Sequence, residues 1–305
     1  MPLPIRQPKD RRATPRPGGV FSGEAFLPWH RALRRHWVEY LIEASFLALF
    51  VLAAGVVATL ERDPLLVEAV PWPLARRALS GLTMALVSIA MIYSPWGRRS
   101  GTHLNPAMTL AFYRLRKVGT VDLLGYAIAQ FAGGALGVAL VRAWMAPAFA
   151  AQGGAAILHG GAPVAVVVVF GVELALAAAT MLLVLMTINH TRLFRWTGAI
   201  YGSVVGLYVA FCSPLSGVGL NPARTIAASL ADGSWAGAWL GLLAPALGMQ
   251  LAVELYRRIT GRTEIACAKL AHNLSGRCIF RCQHPNQART IARMQMDREL
   301  REFLS

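Results

Sequence analysis

Six long apolar runs, each close to twenty residues and each ended by charged or turn-forming residues, recur along this chain. They cover 37–60, 74–93, 121–144, 164–188, 197–214 and 235–256. A helix of that length spans the ~30 Å hydrocarbon layer of a bilayer, so the pattern predicts six membrane-crossing helices. Two shorter apolar stretches interrupt the series, and the same triplet heads both: Asn105-Pro106-Ala107 and Asn221-Pro222-Ala223. Asn is a strong helix N-cap, and Pro suits the first helical position because its missing N–H would have had no partner there. Each triplet therefore predicts a short helix starting inside apolar sequence, over 106–114 and about 222–231. Nine residues make about 14 Å of helix. Two such halves meeting end to end would form a seventh, composite span.

The halves of the chain echo each other. Glu43 stands near the start of the first run and Glu173 near the start of the fourth. Ser100-Gly101-Thr102-His103-Leu104 precedes the first triplet, and Ser216-Gly217-Val218-Gly219-Leu220 the second. Three spans per half is an odd number, so the second half enters the membrane from the opposite side. Interrupted segments at matching places in an inverted repeat point to the transport path. The expected fold is all-α, with six transmembrane helices and two re-entrant half-helices. The channel region covers 31–259, with a first repeat at about 37–145 and a second at about 164–258.

Composition agrees with a membrane protein: 55% of the 305 residues are apolar and 15% charged. Net charge is +15, unevenly placed. Arg31, Arg34 and Arg35 precede the first span, and Arg98, Arg99, Arg114, Arg116 and Lys117 lie between the second and third. Arg192 and Arg195 separate the fourth from the fifth, and Arg and Lys recur from Arg257 to Arg301. The alternate connections carry Glu61, Asp63, Glu68, Asp232 and an uncharged Ala/Gly stretch over 145–163. The positive-inside rule then places both termini in the cytoplasm, with Arg76 and Arg77 an exception at a span edge. The basic residues flank spans and suit anionic lipid headgroups rather than nucleic acid. Residues 1–30 are Pro/Arg-rich, lack the apolar core of a secretory signal and read as disordered.

The strings His103-Leu104-Asn105-Pro106-Ala107-Met108-Thr109 and Gly219-Leu220-Asn221-Pro222-Ala223-Arg224-Thr225 resemble the aquaporin (major intrinsic protein) family, of bacterial type. Glu43, Glu173 and Gln130 also look like family positions, and the resemblance covers about 37–258. It implies a passive channel for water or small uncharged, glycerol-like solutes, excluding protons and ions. It further implies a homotetramer with one pore per subunit, in the inner cell membrane, with no cofactor and no enzymatic activity. The asparagine amides and both half-helix dipoles would converge at the pore centre. Glu43 and Glu173 would accept hydrogen bonds from the re-entrant loops.

An arginine inside a membrane is costly and faces a water-filled path. The resemblance makes Arg224 the charged member of a constriction with Val209, Val218 and a span-two residue. That residue is Ala85, or Met84 if the segment Ser94-Pro95-Trp96-Gly97-Arg98-Arg99 holds one extra position. Such a ring is apolar and implies a wide filter, although Thr225 stands where glycerol channels of the family usually carry Asp. Two other readings remain at this point. One is an ion- or proton-coupled transporter working through the two glutamates; the other is a membrane scaffold or sensor acting through its tail.

That tail, 260–305, reads as basic and cytoplasmic. Cys267, His272, Cys278, Cys282 and His284 fall within eighteen residues of it. A mononuclear metal site is sterically conceivable there, but the Cys-x3-Cys-x-His portion matches no common zinc spacing. Inert thiols on a basic tail are the simpler expectation. Cys212, in an apolar span, reads as a small hydrophobe.

Overall fold

A computed structural model describes residues 27–145, 163–233, 235–272 and 278–282. The disordered reading of residues 1–30 falls almost wholly outside them, as do the Ala/Gly stretch and His284. Among the described residues, six helices are long and apolar enough to cross a membrane. They are α1 (Trp29–Leu60), α3 (Pro73–Tyr93), α6 (Thr120–Met145), α7 (Pro163–Ile188), α8 (Thr197–Ser216) and α10 (Ala238–Thr260). The half-helices are α5 (Pro106–Arg114) and α9 (Pro222–Asp232). Two short helices, α2 (Pro64–Ala69) and α4 (Pro95–Ser100), have no counterpart in the sequence reading. Six residues are too few to leave a periodic pattern.

The inverted repeat is visible in the packing. Helix α1 lies along α6, α7 lies along α10, and α3 meets α8 across the centre. Each crossing is set by small residues. A Cβ on Gly133 of α6 would stand 2.2 Å from the Ala44 carbonyl oxygen of α1. One on Gly248 of α10 would stand 2.3 Å from the Leu174 oxygen of α7. Ala44 and Leu174 each follow the glutamate of their half, so the same backbone approach recurs twice. Close backbone contact through small residues is how helices gain dispersion energy in lipid, where no hydrophobic drive separates one apolar face from another.

Span boundaries differ from the hydropathy reading where helices outrun the bilayer or tolerate proline. Helix α1 begins eight residues early, and α8 continues past Pro214 to Ser216. Pro214 cannot donate to the carbonyl of Ala210, four residues back. Arg77 of α3 supplies the missing donor, Nε to Ala210 O at 3.2 Å. Its neighbour Arg76 donates to Val70 O at 2.7 Å and Pro71 O at 3.1 Å. The two arginines that break the charge pattern are thus spent on backbone carbonyls.

The segment after α10 is not a free tail. Ile265, Cys267, Ala268, Leu270, Ala271, Cys278, Ile279, Phe280 and Cys282 are buried in one cluster with Phe112, Leu115, Val118 and Tyr126. A boundary near residue 260 marks the end of a helix, not the end of the packed body. Alternating short apolar and polar residues gave no periodic signal for this, because the stretch is irregular.

Candidate functional site

Two loops that run back into the helical body build the site, and they share one unusual backbone. Gly101, Thr102 and Leu104 have φ of 99°, 56° and 49°; Gly217, Val218 and Leu220 have 73°, 52° and 49°. Left-handed Thr and Val cost about 1–3 kcal/mol each and persist only when surroundings hold them. The asparagines that follow return to extended geometry, φ −152° at Asn105 and −149° at Asn221.

The glutamates hold these loops. Glu43 accepts from His103 N (3.1 Å), Leu104 N (2.7 Å), Ser100 Oγ (2.9 Å) and Gln130 Nε2 (2.9 Å). Glu173 accepts from Gly219 N (2.9 Å) and Leu220 N (2.7 Å). Loop N–H groups turned away from any ladder need such acceptors when buried.

Each asparagine then does two things. Its Oδ1 caps its own half-helix, accepting from Ala107 N at 2.9 Å or Ala223 N at 3.0 Å. Its Nδ2 crosses to the other half: Asn105 donates to Leu220 O at 2.8 Å, and Asn221 to Leu104 O at 2.6 Å. The half-helices are thereby joined N-terminus to N-terminus, and both positive dipole ends point at one place. Pro106 and Pro222 open the two helices, and Ala107 and Ala223 are fully packed behind them.

Two spaces flank this junction. On the face away from the termini, a cavity of about 710 Å³ is lined by Phe50, Met84, Val209, Arg224 and others. Beyond it, a space of about 50 Å³ is lined by Asn105, Asn221, Tyr201, Val205 and Met249 among others. Phe50, Gly219 and Arg224 line both, so the guanidinium stands at the junction. Arg224 Nη1 donates to Val218 O at 3.1 Å, and its Cζ lies 5.3 Å from the centre of the Phe50 ring.

The two alternatives for the span-two position sit differently. Ala85 is buried against α8, where a Cβ on Gly206 would come within 2.8 Å of its methyl group. It lines neither space; Met84 does line the larger one. Val218, buried, contributes its carbonyl to Arg224 and is among the residues that line the smaller space. Phe50 escaped the sequence reading because an aromatic residue in an apolar span carries no signal of its own. Thr225 bonds back to Asn221 O at 3.3 Å and packs on Gly241 of α10.

On the terminus-side face, Cys267, His272, Cys278 and Cys282 converge, with their ligand atoms all within 4.8 Å of one another. The sequence offered these residues in a row without showing which would meet. Burial pushes the Cys267 thiol well above the ordinary range. Burial also acts upward on Cys278, but hydrogen bonds from Cys267 and Cys282, with the charge of Lys269, hold it well below. Burial lowers Lys117, against the opposing pull of Cys267 and Glu264.

Strained loops joined tip to tip inside six spans, with one arginine between two spaces, define an inverted-repeat membrane pore. The profile described as "Major intrinsic protein" matches residues 33–256. The chain is 32% identical to a probable aquaporin, AqpM, of Archaeoglobus fulgidus over 185 residues, 58% of this chain and 74% of that protein. It is also 32% identical to aquaporin NIP1-3 of Oryza sativa subsp. japonica over 191 residues, 58% of this chain and 60% of that one. The X-ray structure of the aquaglyceroporin from Plasmodium falciparum shares the fold at a TM-score of 0.54 and 19% identity, covering 74% of this chain and 96% of that one. The chain belongs to the major intrinsic protein (aquaporin) family, a non-enzymatic family of multi-pass membrane channels. Its relatives include archaeal, plant and animal proteins, so the comparisons carry the family and not a bacterial subgroup.

Proposed function

We propose that this chain is a passive channel that admits neutral solutes larger than water, glycerol or urea among them, as well as water itself. The observation that carries the reading is the composition of the wall around Arg224. Phe50, Met84 and Val209 bring apolar side chains to the wall that includes Arg224, and Glu61, Arg62, Arg77, Ser80, Ser213 and Thr225 also line the larger space. A wall that mixes apolar side chains with fixed polar groups suits a solute with a hydrocarbon edge and hydroxyl groups. Arg224 and the paired dipoles supply a positive field against cations and protons.

Neither Glu43 nor Glu173 lines the two spaces, and both are occupied by loop N–H groups. That favours a channel over a carrier coupled through those carboxylates. The charge asymmetry supports cytoplasmic termini, and family membership supports a homotetramer with one pore per subunit.

Stopped-flow light scattering on reconstituted vesicles tests the reading. Glycerol or urea should enter faster than in protein-free vesicles, with no channel-dependent proton flux under a pH gradient. Val209→His should cut that solute's flux several-fold more than water's. High water permeability with no solute flux above the protein-free level would overturn it.

A further inference from the structure

The channel reading leaves the three cysteines and the histidine beyond α10 unused. Their geometry is not that of scattered thiols. Cys267 Sγ lies 3.6 Å from Cys278 Sγ, and His272 Nε2 lies 3.1 Å from Cys282 Sγ. Zinc–sulfur bonds of 2.3 Å and zinc–nitrogen bonds near 2.0 Å give a tetrahedron with edges of about 3.6–3.8 Å. The four ligand atoms, none more than 4.8 Å from another, bracket that size. The three sulfurs are buried, as a closed structural site requires. A disulfide would use two of the four groups and needs its sulfurs about 2.0 Å apart.

We propose that Cys267, His272, Cys278 and Cys282 hold one zinc ion, and that this Cys3His centre pins the segment after α10 to the loop leading into α5. Binding forms three Zn–S bonds and one Zn–N bond, and each sulfur that still carries a proton gives it up to solvent, so that all three end as thiolates. The product carries one net negative charge. Lys269 and Lys117, buried at 1% and 2% exposure, act electrostatically on these sulfurs and offset that charge.

Both ligand-bearing stretches touch the re-entrant loop or its half-helix. In the first, Ala268 O lies 2.7 Å from His103 Nε2, Lys269 Nζ donates to Arg98 O at 2.9 Å, and Leu270 N donates to Gly101 O at 3.2 Å. In the second, Phe280 stacks on His103 with centroids 5.1 Å apart and planes 13° apart, and Arg281 N donates to Lys117 O at 2.9 Å. A metal joining the two stretches closes a clamp over His103.

Elemental analysis of the full chain, purified in detergent without chelator, tests the site. It should find about one zinc per chain, and the Cys278→Ser/Cys282→Ser pair should lose nearly all of it. Cys212→Ser should keep it, because Cys212 lies in α8. Should the double variant fail to assemble, chelation of the unaltered protein and zinc re-addition give the same comparison. Trypsin should cut after Lys269 and Arg281 in chelated protein and spare both when zinc is restored. Zinc no higher than in the double variant, or a Cys267–Cys278 disulfide found by mass spectrometry, would overturn the site. Unchanged trypsin protection after zinc loss would overturn the clamp.

Discussion

The two re-entrant loops have the same backbone and different surroundings. φ values at the three left-handed positions pair off as 99°, 56°, 49° and 73°, 52°, 49°. Yet the residue two before the asparagine is His103 in one loop and Gly219 in the other. His103 is fully buried, between Phe112, Tyr126 and Phe280. Gly219 lines both spaces. The residue after the triplet diverges in the same sense: Met108 is fully buried, whereas Arg224 stands at the junction of the spaces. Duplication sets the frame. Side-chain differences at two positions per loop leave one copy lining the two spaces, the filter loop of the proposed function, and the other packed against the chain's own tail, the anchor loop.

The difference extends to how each loop is held. Glu43 serves four donors and Glu173 two. Glu43→Ala should therefore be the most damaging change. It orphans buried donors at about 1–3 kcal/mol each, beside backbone already strained. Detergent-extracted protein should lose its monodisperse size-exclusion peak and much of its melting temperature, and Glu173→Ala should lose clearly less. Equal losses would mean that Ser100 and Gln130 add nothing to the first loop.

Arg224→Ala should come next. It removes the charge between the spaces without touching either loop's hydrogen bonds to glutamate. Flux of the larger neutral solute should rise several-fold, and proton or cation leak should appear in dye-loaded vesicles. Met108→Ala, at the matching position of the other half, should change folding yield but not selectivity. Selectivity that moved equally in both variants would dissolve the distinction between filter loop and anchor loop.

The smallest effect belongs to the anchor. Phe280→Ala removes one ring from the stack on His103, worth about 1–3 kcal/mol of burial and ring contact. Hydrogen exchange should quicken at Ala268 to Ala271 and stay unchanged around Val218 and Leu220. Exchange that quickened equally in both loops would show the tail bracing the whole pore rather than one half of it.

Much of this protein was fixed by its linear pattern. Six apolar runs, two Asn-Pro starts and the matched glutamates specified spans, half-helices and inverted repeat, because each rests on local rules: bilayer thickness, helix capping and period. The first half-helix runs over 106–114 as the capping pattern predicts. What local rules could not reach was decided by contacts between distant residues. Met84 rather than Ala85 lines the space beside Arg224, a choice that counting back from the triplet left open. Phe50 joins Arg224 across more than 170 positions of sequence. The tail's thiols meet because two irregular stretches fold over a loop far upstream, where no periodicity announces the contact. Periodicity can report which side of a helix faces protein, but only the packed chain decides which residue from elsewhere fills it.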